Sequence, residues 1–390
     1  MNSRIRNGLL FDTIEVMKSE IAEYLKLTFI VIFSTFLLWI PFLLNIDSWF
    51  GLNFSNVDFA TVYQNYDGLL YIVPAKTLYN LKAIANLNLE LNLSPIYFAA
   101  HLPLYPILIR TLAPLVGFLK SSLLVTLFTS VGFATVFYSF LKTFNLTKAP
   151  FILTIIVVLF PRLYVVRSVG SPETLFILLV LSSILFFEKK QYVVAGILGA
   201  LSVMTKTPGI LLGIAYGLVF VERMIKEKSF SFSWLWIGLI CVGPLLVFTM
   251  YWVGYGDFLA YFHSGDNIHL ISPYAVFNAE AKWVGTVWLD DILFYYAFYI
   301  FTVLKLWNTR YRSFFYFSAV FLTATLFVQH RDIARYSLPI WPFAVIAFEK
   351  FFTSKRFLIL SVLLFPGILL YAWNFMLHNY LPVSDWSAFL

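Results

Sequence analysis

The segment KLTFIVIFSTFLLWIPFLLNI, residues Lys26–Ile46, decides the fold class of this chain. Its only ionisable side chain is Lys26, at the first position, and the rest is almost entirely apolar. About twenty residues of such composition form a helix long enough to cross the hydrocarbon core of a bilayer. Because similar apolar segments recur from Lys26 to the C-terminus, the sequence predicts an all-α polytopic membrane protein.

The composition of the chain supports one integral membrane domain. Of the 390 residues, 61% are hydrophobic and only 12% are charged, which excludes a large soluble domain. The one cysteine, Cys241, lies within an apolar run, so no disulfide framework or cysteine metal site is expected. The net charge of +7 is explained first by the positive-inside rule, and no nucleic-acid partner is predicted.

The N-terminal segment, residues 1–25, is charged and amphipathic, with apolar residues at helical spacing. It lacks the apolar stretch of a cleavable signal peptide, so it is predicted to form an interfacial helix on the membrane surface. Residues 26–390 are predicted to form a single transmembrane domain with about eleven spans. The predicted spans are Lys26–Ile46, Ser122–Leu141, Pro150–Val166, Thr174–Phe187, Tyr192–Met204, Gly209–Val221, Trp234–Val253, Val287–Leu306, Phe314–Val328, Leu338–Phe348 and Phe357–Trp373.

Lysine and arginine residues predict the orientation of these spans. If the N-terminus is inside and His101–Leu119 does not cross fully, most of the 27 Lys and Arg residues fall in inside breaks, in agreement with the positive-inside rule. The prolines of His101–Leu119 also disfavour one straight helix, so this segment is predicted to be re-entrant or interfacial. Two long outside breaks follow: residues 47–121, which include that segment, and residues 254–286.

Several cations depart from the positive-inside bias because they stand at span ends on the outer face. These are Arg162, Arg167, Lys206, Arg331 and Arg335. A converging set of guanidinium and ammonium groups beside helix N-termini suits a phosphate held at the membrane surface. The alternative is that these side chains reach lipid headgroups or form ion pairs, for instance with Asp332. For the whole set on one face we favour a phosphate site.

A carboxylate, Asp67, lies in the polar stretch TVYQNYDGLLYIVPAK, residues 61–76, within the first outside break. The sequence Tyr66-Asp67-Gly68 is typical of a turn, and a simple turn residue is one interpretation. Beside a cationic face suited to phosphate, a carboxylate in a Tyr- and Asn-rich loop can instead act as a general base toward an acceptor hydroxyl. Asp58 is a competing candidate for that role.

Other chemistries find no support in the sequence. No P-loop, GxGxxG, HExxH or CxxC spacing is present, and the five histidines are too scattered for a metal motif. We therefore predict no cofactor and no metal site formed by residues of this chain. The sequence does not exclude a divalent metal ion. The rival functions are a lipid or glycolipid transporter or flippase, and a non-catalytic scaffold. The transporter is disfavoured because the ionisable residues cluster at one face.

Three stretches resemble a known family: NYDGLLY (65–71), HLPLYPILIR (101–110) and RSVGSPETLF (167–176). In order and spacing they are similar to signatures of the phosphatidylinositol-glycan class V type mannosyltransferases. That family belongs to the polytopic C-type glycosyltransferases, which use polyprenyl-phosphate sugars. KTPGILL (206–212) and HRDIARYSLP (330–339) resemble later family segments. The PLYPILIR stretch is the most specific of these motifs.

The resemblance implies a C-type glycosyltransferase fold, a polyprenyl-phosphate mannose donor and an inverting transfer. It places the family's acidic catalytic residue at Asp67, where Tyr66 replaces the usual Trp or Phe. It also supports Glu173, although the turn Ser171-Pro172-Glu173 departs from the family's Tyr-Ser-Glu-like pattern. A base that deprotonates an acceptor while cations stabilise the departing phosphate agrees with the interpretation of the residues themselves.

The predicted site combines these residues. Asp67 is the expected base, with Arg167, Lys206, Arg331 and Arg335 around the lipid phosphate. Glu173, His101 and Tyr336 are expected to shape the sugar and acceptor pocket, and the further predicted substrate-binding residues are Asp58, Tyr71, Tyr105, Arg110, Ser171 and His330. The expected partners are the lipid-linked sugar, membrane lipids, and a hydroxyl of a glycolipid, glycan or protein. The site is expected on the external or lumenal face of a prokaryotic plasma membrane or an endoplasmic reticulum membrane.

Overall fold

The structure is a computed structural model that describes residues 2–91, 93–265 and 272–390, with the backbone alone for residues 2–17. The chain is 73% helical. Within the described ranges the only sheet is a hairpin of β1 (Ser48–Trp49) and β2 (Leu52–Asn53). The predicted all-α class is therefore confirmed.

Nineteen α-helices follow one another through the described residues. In the first half they are α1 (Asn2–Leu43), α2 (Ala60–Gln64), α3 (Gly68–Thr77), α4 (Leu81–Ala85), α5 (Leu104–Val116), α6 (Phe118–Thr143), α7 (Pro150–Val158), α8 (Pro161–Val166), α9 (Glu173–Glu188) and α10 (Tyr192–Thr205). In the second half they are α11 (Leu211–Glu227), α12 (Val242–Tyr255), α13 (Ala260–His263), α14 (Thr286–Leu306), α15 (Arg312–Leu326), α16 (Ile333–Tyr336), α17 (Trp341–Ala347), α18 (Glu349–Phe352) and α19 (Lys355–His378). The 3₁₀ helices are Pro95–Ala100, Thr207–Ile210, Phe232–Cys241, Ala275–Phe277 and Leu338–Ile340.

Six of the described helical stretches are long and apolar enough to cross a membrane. They are Lys18–Leu43, Phe118–Thr143, Thr207–Glu227, Phe232–Tyr255, Thr286–Leu306 and Lys355–His378. Each coincides with one of the predicted spans, so the chain has the helices of a multi-pass membrane protein. The total of about eleven spans and the C-type glycosyltransferase fold stay predictions.

The remaining predicted spans correspond to shorter helices. The predicted span Pro150–Val166 is divided, because α7 ends at Val158 and α8 begins at Pro161. Proline lacks an N–H group and disfavours helical geometry at the residue before it, which accounts for this break. A second break, at Lys206, separates α10 from the 3₁₀ helix Thr207–Ile210. The second break lies at the cavity described below, which Lys206 and Thr207 line.

Two segments with a predicted position at the membrane surface have a defined helical structure. Residues 2–25 are part of α1, which continues to Leu43 without a break. The segment 101–119 contains α5, which ends at Gly117, where φ is +82°. At about 1.5 Å per residue α5 is about 20 Å long, shorter than the hydrocarbon core of a bilayer. The position of both segments relative to the membrane stays a prediction.

A buried arginine joins the first helix to the centre of the bundle. Arg167, at the end of α8, is 1% exposed. Its Nε donates to the carbonyl of Val158 over 2.8 Å. Its Nη1 and Nη2 donate to the hydroxyls of Thr35 at 2.8 Å and Ser34 at 2.6 Å, both on α1. Oxygen atoms of the protein thus take the place of water as hydrogen-bond acceptors of the guanidinium, as a buried charge requires.

We expect Arg167→Ala to destabilise the fold. The substitution removes the hydrogen bonds to α1 and α7 and leaves a void, at a cost of about 2–4 kcal/mol. Thermal unfolding in detergent should show a midpoint several degrees lower than that of the native protein. Lys148→Ala, at an exposed position, is the control. A midpoint shift no larger than that of the control would contradict the structural role of Arg167.

Candidate active site

A cavity of about 580 Å³ lies where α3, α10, α15 and α16 approach one another. One wall, the polar wall, is formed by Asp67, Tyr71, His101, Lys206, Arg335 and Tyr336. The apolar part of the lining, which we call the apolar wall, is formed by Ile210, Leu211, Pro244, Phe262, Phe321 and Val328. The cavity therefore combines ionisable groups with a hydrocarbon surface, as an amphiphilic ligand requires.

The polar wall contains a chain of alternating charges. Lys206 Nζ lies 2.8 Å from Glu173 Oε1, and Arg335 Nε lies 3.1 Å from the same oxygen. Arg335 Nη2 in turn lies 3.1 Å from Asp67 Oδ2. Glu173 is the first residue of α9, Lys206 follows α10 and Arg335 lies on α16. This ion-pair chain brings together residues from four separate parts of the sequence.

Two glycines allow the backbones around Asp67 and Glu173 to meet. A Cβ atom on Gly68 would lie 2.9 Å from the carbonyl oxygen of Tyr63 and 3.1 Å from that of Gly170. Neither carbonyl can move away without disturbing α2, which contains Tyr63, or the turn before α9, which contains Gly170. Glycine at these positions therefore permits the close approach that places the two carboxylates on either side of Arg335.

The turn that presents Asp67 is held from both sides. Tyr66 has φ of +52°, a left-handed conformation that costs a non-glycine residue about 1 kcal/mol. Its N–H donates to the carbonyl of Asn379 over 3.2 Å. The buried amide of Asn65 donates to the carbonyls of Thr61 at 2.9 Å and Met376 at 3.1 Å. The segment after α19 thus stabilises the unusual backbone before Asp67.

Aromatic rings enclose the cations of the polar wall. The Arg335 guanidinium lies 4.6 Å from the Tyr66 ring centroid and 5.2 Å from that of Tyr336. Lys206 Nζ lies 5.1 Å from the Tyr336 centroid. The His101 ring contacts Tyr71 with a centroid distance of 4.7 Å. These cation–π contacts restrict where the two cations can move within the cavity.

The two carboxyl groups are kept ionised by the neighbouring cations. Burial acts to raise the pKa of Glu173, but Lys206 and Arg335 outweigh it and lower the pKa to about 2. Burial has the same effect on Asp67, whose pKa is nevertheless held below its usual value by Arg335 and, to a smaller extent, His101. Both groups are therefore carboxylates at neutral pH. The polar wall carries paired charges rather than an excess of positive charge.

His330 lies beside this wall rather than on it. Its ring packs edge-on against Tyr336 with a centroid distance of 4.5 Å, and its Nδ1 accepts a hydrogen bond from the backbone of Asp332 over 2.9 Å. Burial, with a contribution from the Arg335 charge, lowers the pKa of His330 to about 4. The ring is thus neutral at pH 7 and supports Tyr336.

Several predicted site residues lie outside the cavity and have structural contacts. Arg167 is buried against α1, as described above, and does not reach the phosphate region expected from the sequence. The Ser171 hydroxyl donates to the carbonyl of Val166. The Tyr105 hydroxyl donates to the carbonyl of Ser122. These side chains surround the site because they hold helix ends together, which a sequence motif alone does not distinguish from ligand binding.

The other predicted residues outside the cavity are close to solvent. Arg110 is exposed and donates to the carbonyls of Ala75 and Lys76. Asp58 is exposed, and its Oδ1 accepts from the N–H of Ala60 over 2.8 Å, the contact of an Asp residue in a local turn. The exposed Arg331 contributes its carbonyl oxygen to a hydrogen bond from Trp288. Asp58 therefore does not compete with Asp67 for a position in the cavity.

The sequence did not identify the residues of the apolar wall, nor the residues of the second outside break that line the cavity. Phe321 belongs to an apolar segment in which cavity-facing and lipid-facing residues look alike. Tyr261 and Phe262 of α13 line the cavity, and the Tyr261 hydroxyl donates to Thr207 over 3.3 Å. Part of the break 254–286, including His269, lies outside the residues that the structure describes. The Tyr-rich composition of this break was the one available signal for a contribution to the site.

Among the described residues, no group of three His, Cys, Asp or Glu side chains is placed to hold a metal ion. The predicted site residues that do converge are those of the polar wall and Glu173. They join two carboxylates, an ammonium group and a guanidinium group through ion pairs of 2.8 to 3.1 Å. Chemically, the arrangement can accept a proton at the exposed carboxylate and stabilise an anion at the cations.

We expect Glu173 to contribute to stability in a pH-dependent manner. Its pKa, about 2 in the folded protein, lies below the ordinary carboxyl value of 4.5. The stabilisation is therefore complete above that ordinary value and is lost as the pH falls toward 2. Thermal unfolding between pH 7 and 3 should show a steeper decrease of the midpoint for the native protein than for Glu173→Gln. Parallel curves for the two proteins would disprove this electrostatic role.

No family model and no curated protein matches the sequence. The resemblance to the phosphatidylinositol-glycan class V type mannosyltransferases therefore rests on the quoted motifs alone. Four of the motifs meet in three dimensions, because each contributes one residue to the ion-pair chain. They are NYDGLLY, RSVGSPETLF, KTPGILL and HRDIARYSLP.

Proposed function

We propose that the protein transfers a hexose, mannose according to the family resemblance, from a polyprenyl-phosphate sugar to an acceptor hydroxyl. The observation that carries the proposal is a single cavity with a carboxylate and two cations on one wall and hydrocarbon on the other. A donor of this kind has an anionic phosphate, a polar sugar and an isoprenoid chain. The walls of the cavity match these parts in chemical character.

The phosphate of the donor fits the region of Lys206 and Arg335. An ammonium group and a guanidinium group form strong, charge-assisted hydrogen bonds with phosphate oxygens. Thr207, directly after Lys206, begins a 3₁₀ helix and also lines the cavity. The cations stand beside aromatic rings, which limit their movement. We assign the phosphate to this position because it is where two cations of the cavity converge.

The isoprenoid chain fits the apolar wall. Three helices contribute to this wall: α11 through Leu211, α12 through Pro244 and α15 through Phe321. Ile210 lines the cavity and is also 38% exposed. The apolar wall is thus continuous with the outer apolar surface of α11, where Ile214 is exposed. A lipid can enter from the bilayer along this surface without exposing its chain to water.

The reaction follows from the position of Asp67. The acceptor oxygen attacks C1 of the sugar while the bond between C1 and the phosphate oxygen breaks, and the bonding electron pair goes to the phosphate. Asp67 takes the proton of the acceptor hydroxyl as general base. Lys206 and Arg335 stabilise the negative charge of the leaving phosphate. Direct displacement by the acceptor inverts the configuration at C1.

The other residues of the polar wall are assigned to the sugar and the acceptor. His101 and Tyr71 contact each other next to Asp67, and Tyr336 covers Lys206. Their polar groups are suited to hydrogen bonds with sugar hydroxyls, and their rings to the apolar faces of a sugar. Following the orientation predicted from lysine and arginine, we place this reaction on the external or lumenal face of the membrane.

We expect Asp67→Asn to reduce transfer at least about a hundredfold, because the amide cannot accept the proton. The assay uses membranes that contain the protein and undecaprenyl-phosphate mannose labelled in the sugar. Label that survives mild acid reports transfer, because the phosphate-linked donor is hydrolysed under those conditions.

Asp58→Asn is the matched control, since it removes a carboxylate from the same outside break but not from the cavity. Its transfer should equal that of the native protein. Turnover by Asp67→Asn within about threefold of the control would refute the assignment of the base. Movement of the labelled donor across vesicle membranes without acid-stable product would instead favour the transporter.

We expect Lys206→Ala to raise the KM for the lipid donor about tenfold, because a charge-assisted contact with the phosphate is lost. The kcat should decrease less than it does for Asp67→Asn. Lys120→Ala, which removes an exposed lysine away from the cavity, is the control. An unchanged donor KM in a folded Lys206→Ala protein would place the phosphate elsewhere.

A further inference from the structure

The two cations proposed to bind the lipid phosphate already have carboxylate partners. Lys206 and Arg335 share Glu173, and Arg335 also contacts Asp67. The two carboxylates differ in their access to the cavity. The Glu173 side chain is 4% exposed, whereas that of Asp67 is 41% exposed. A ligand in the cavity can therefore reach Arg335 from the side of Asp67, but not from the side of Glu173.

The contact between Arg335 and Asp67 conflicts with both of their proposed roles. While Nη2 of Arg335 is held by Asp67, it is not available to a phosphate oxygen. In the same arrangement the Asp67 carboxylate is stabilised as an anion by the guanidinium, which makes it a weaker base toward an acceptor hydroxyl.

We propose that binding of the lipid phosphate exchanges this ion pair: the phosphate takes Arg335 Nη2 from Asp67, while Glu173 retains Lys206 and Arg335 Nε. This inference rests on the proposed function of the site. Asp67 is then released from its cationic partner only in the complex with the donor. The general base becomes effective after the phosphate has bound, so donor binding precedes activation of the acceptor.

The geometry of the surrounding residues suits such an exchange. Glu173 is buried at the start of α9 and holds both cations through Oε1, so it can keep them in place when the outer partner changes. The guanidinium lies beside the rings of Tyr66 and Tyr336, which guide it without forming a directional bond. Arginine can hold two anions at once because its donors point in different directions from one planar group.

A double-mutant cycle on phosphate binding tests the exchange. The ligand is undecaprenyl phosphate, and its dissociation constant is measured for purified protein in lipid nanodiscs without any acceptor. Removing the competing carboxylate in Asp67→Asn should tighten binding about tenfold, while Arg335→Gln should weaken it. In the Arg335→Gln background the further change Asp67→Asn should have little effect, because there is no guanidinium left to compete for.

A different result is expected if Asp67 opposes binding only because its negative charge repels the phosphate. In that case the gain from Asp67→Asn persists, or grows, when Arg335 is absent, and this result would overturn the exchange. An unchanged affinity of Asp67→Asn in the native background would do so as well. Asp58→Asn, which removes a carboxylate outside the cavity, should bind like the native protein.

Two further outcomes separate this inference from the proposed function. If the native protein does not bind undecaprenyl phosphate, the proposed function fails and the exchange fails with it. If it binds but Asp67 and Arg335 show no coupling, only the exchange is wrong. Should Arg335→Gln not fold, Arg335→Lys replaces it in the cycle. A lysine ammonium lacks the fork that holds two carboxylates, so the gain from Asp67→Asn should fall below about threefold.

Discussion

The carboxylate of Glu173 is the group on which the arrangement of the cavity depends. It is almost completely buried, and its Oε1 forms ion pairs with Lys206 Nζ and Arg335 Nε. A buried carboxylate without cations would cost several kcal/mol, and the same holds for the cations without the carboxylate. The three side chains therefore stabilise one another, and they fix the relative positions of α9, the break after α10, and α16.

This mutual pairing explains why a membrane protein with so few charges places them together. Lys206 follows the last residue of α10, and Arg335 lies on the four-residue helix α16. Both positions are breaks between apolar helices, where backbone groups need polar surroundings. The close approach of Gly68 and Gly170 then adds Asp67 as the outer member of the ion-pair chain. The cavity is polar only on the wall where these breaks meet.

Much of the fold and part of the site could be predicted from the sequence. The long apolar segments predicted the helices, because their length and composition are direct consequences of the bilayer. Lys206, Arg335 and Asp67 were selected as cations and a carboxylate on one face, and the structure joins them with Glu173 in one ion-pair chain, in which Lys206 and Arg335 contact Glu173 and Asp67 contacts Arg335. Ion pairing of the cations was the alternative considered from the sequence, but the partners Glu173 and Asp67 were not identified, since the sequence shows charges but not distances.

Other parts of the site could not be predicted for physical reasons. Arg167 has the same chemistry as Arg335, and only its burial against Ser34 and Thr35 shows that it stabilises the fold. Phe321 belongs to a helix whose apolar residues face lipid, other helices or the cavity without a difference in composition. The division of the segment 150–166 at Pro161 was visible in the sequence, but the contact of Arg167, after α8, with the carbonyl of Val158 at the end of α7 required the structure.

The most direct measurement is an experimental structure of the protein in lipid nanodiscs with bound undecaprenyl phosphate. We expect a phosphate within about 4 Å of Lys206 Nζ and the Arg335 guanidinium, on the same side of the cavity as Asp67. The isoprenoid chain should follow the apolar wall past Leu211 and Phe321. A phosphate bound away from Lys206 and Arg335, or a lipid that enters from the opposite face of the membrane, would contradict the assignment of the site.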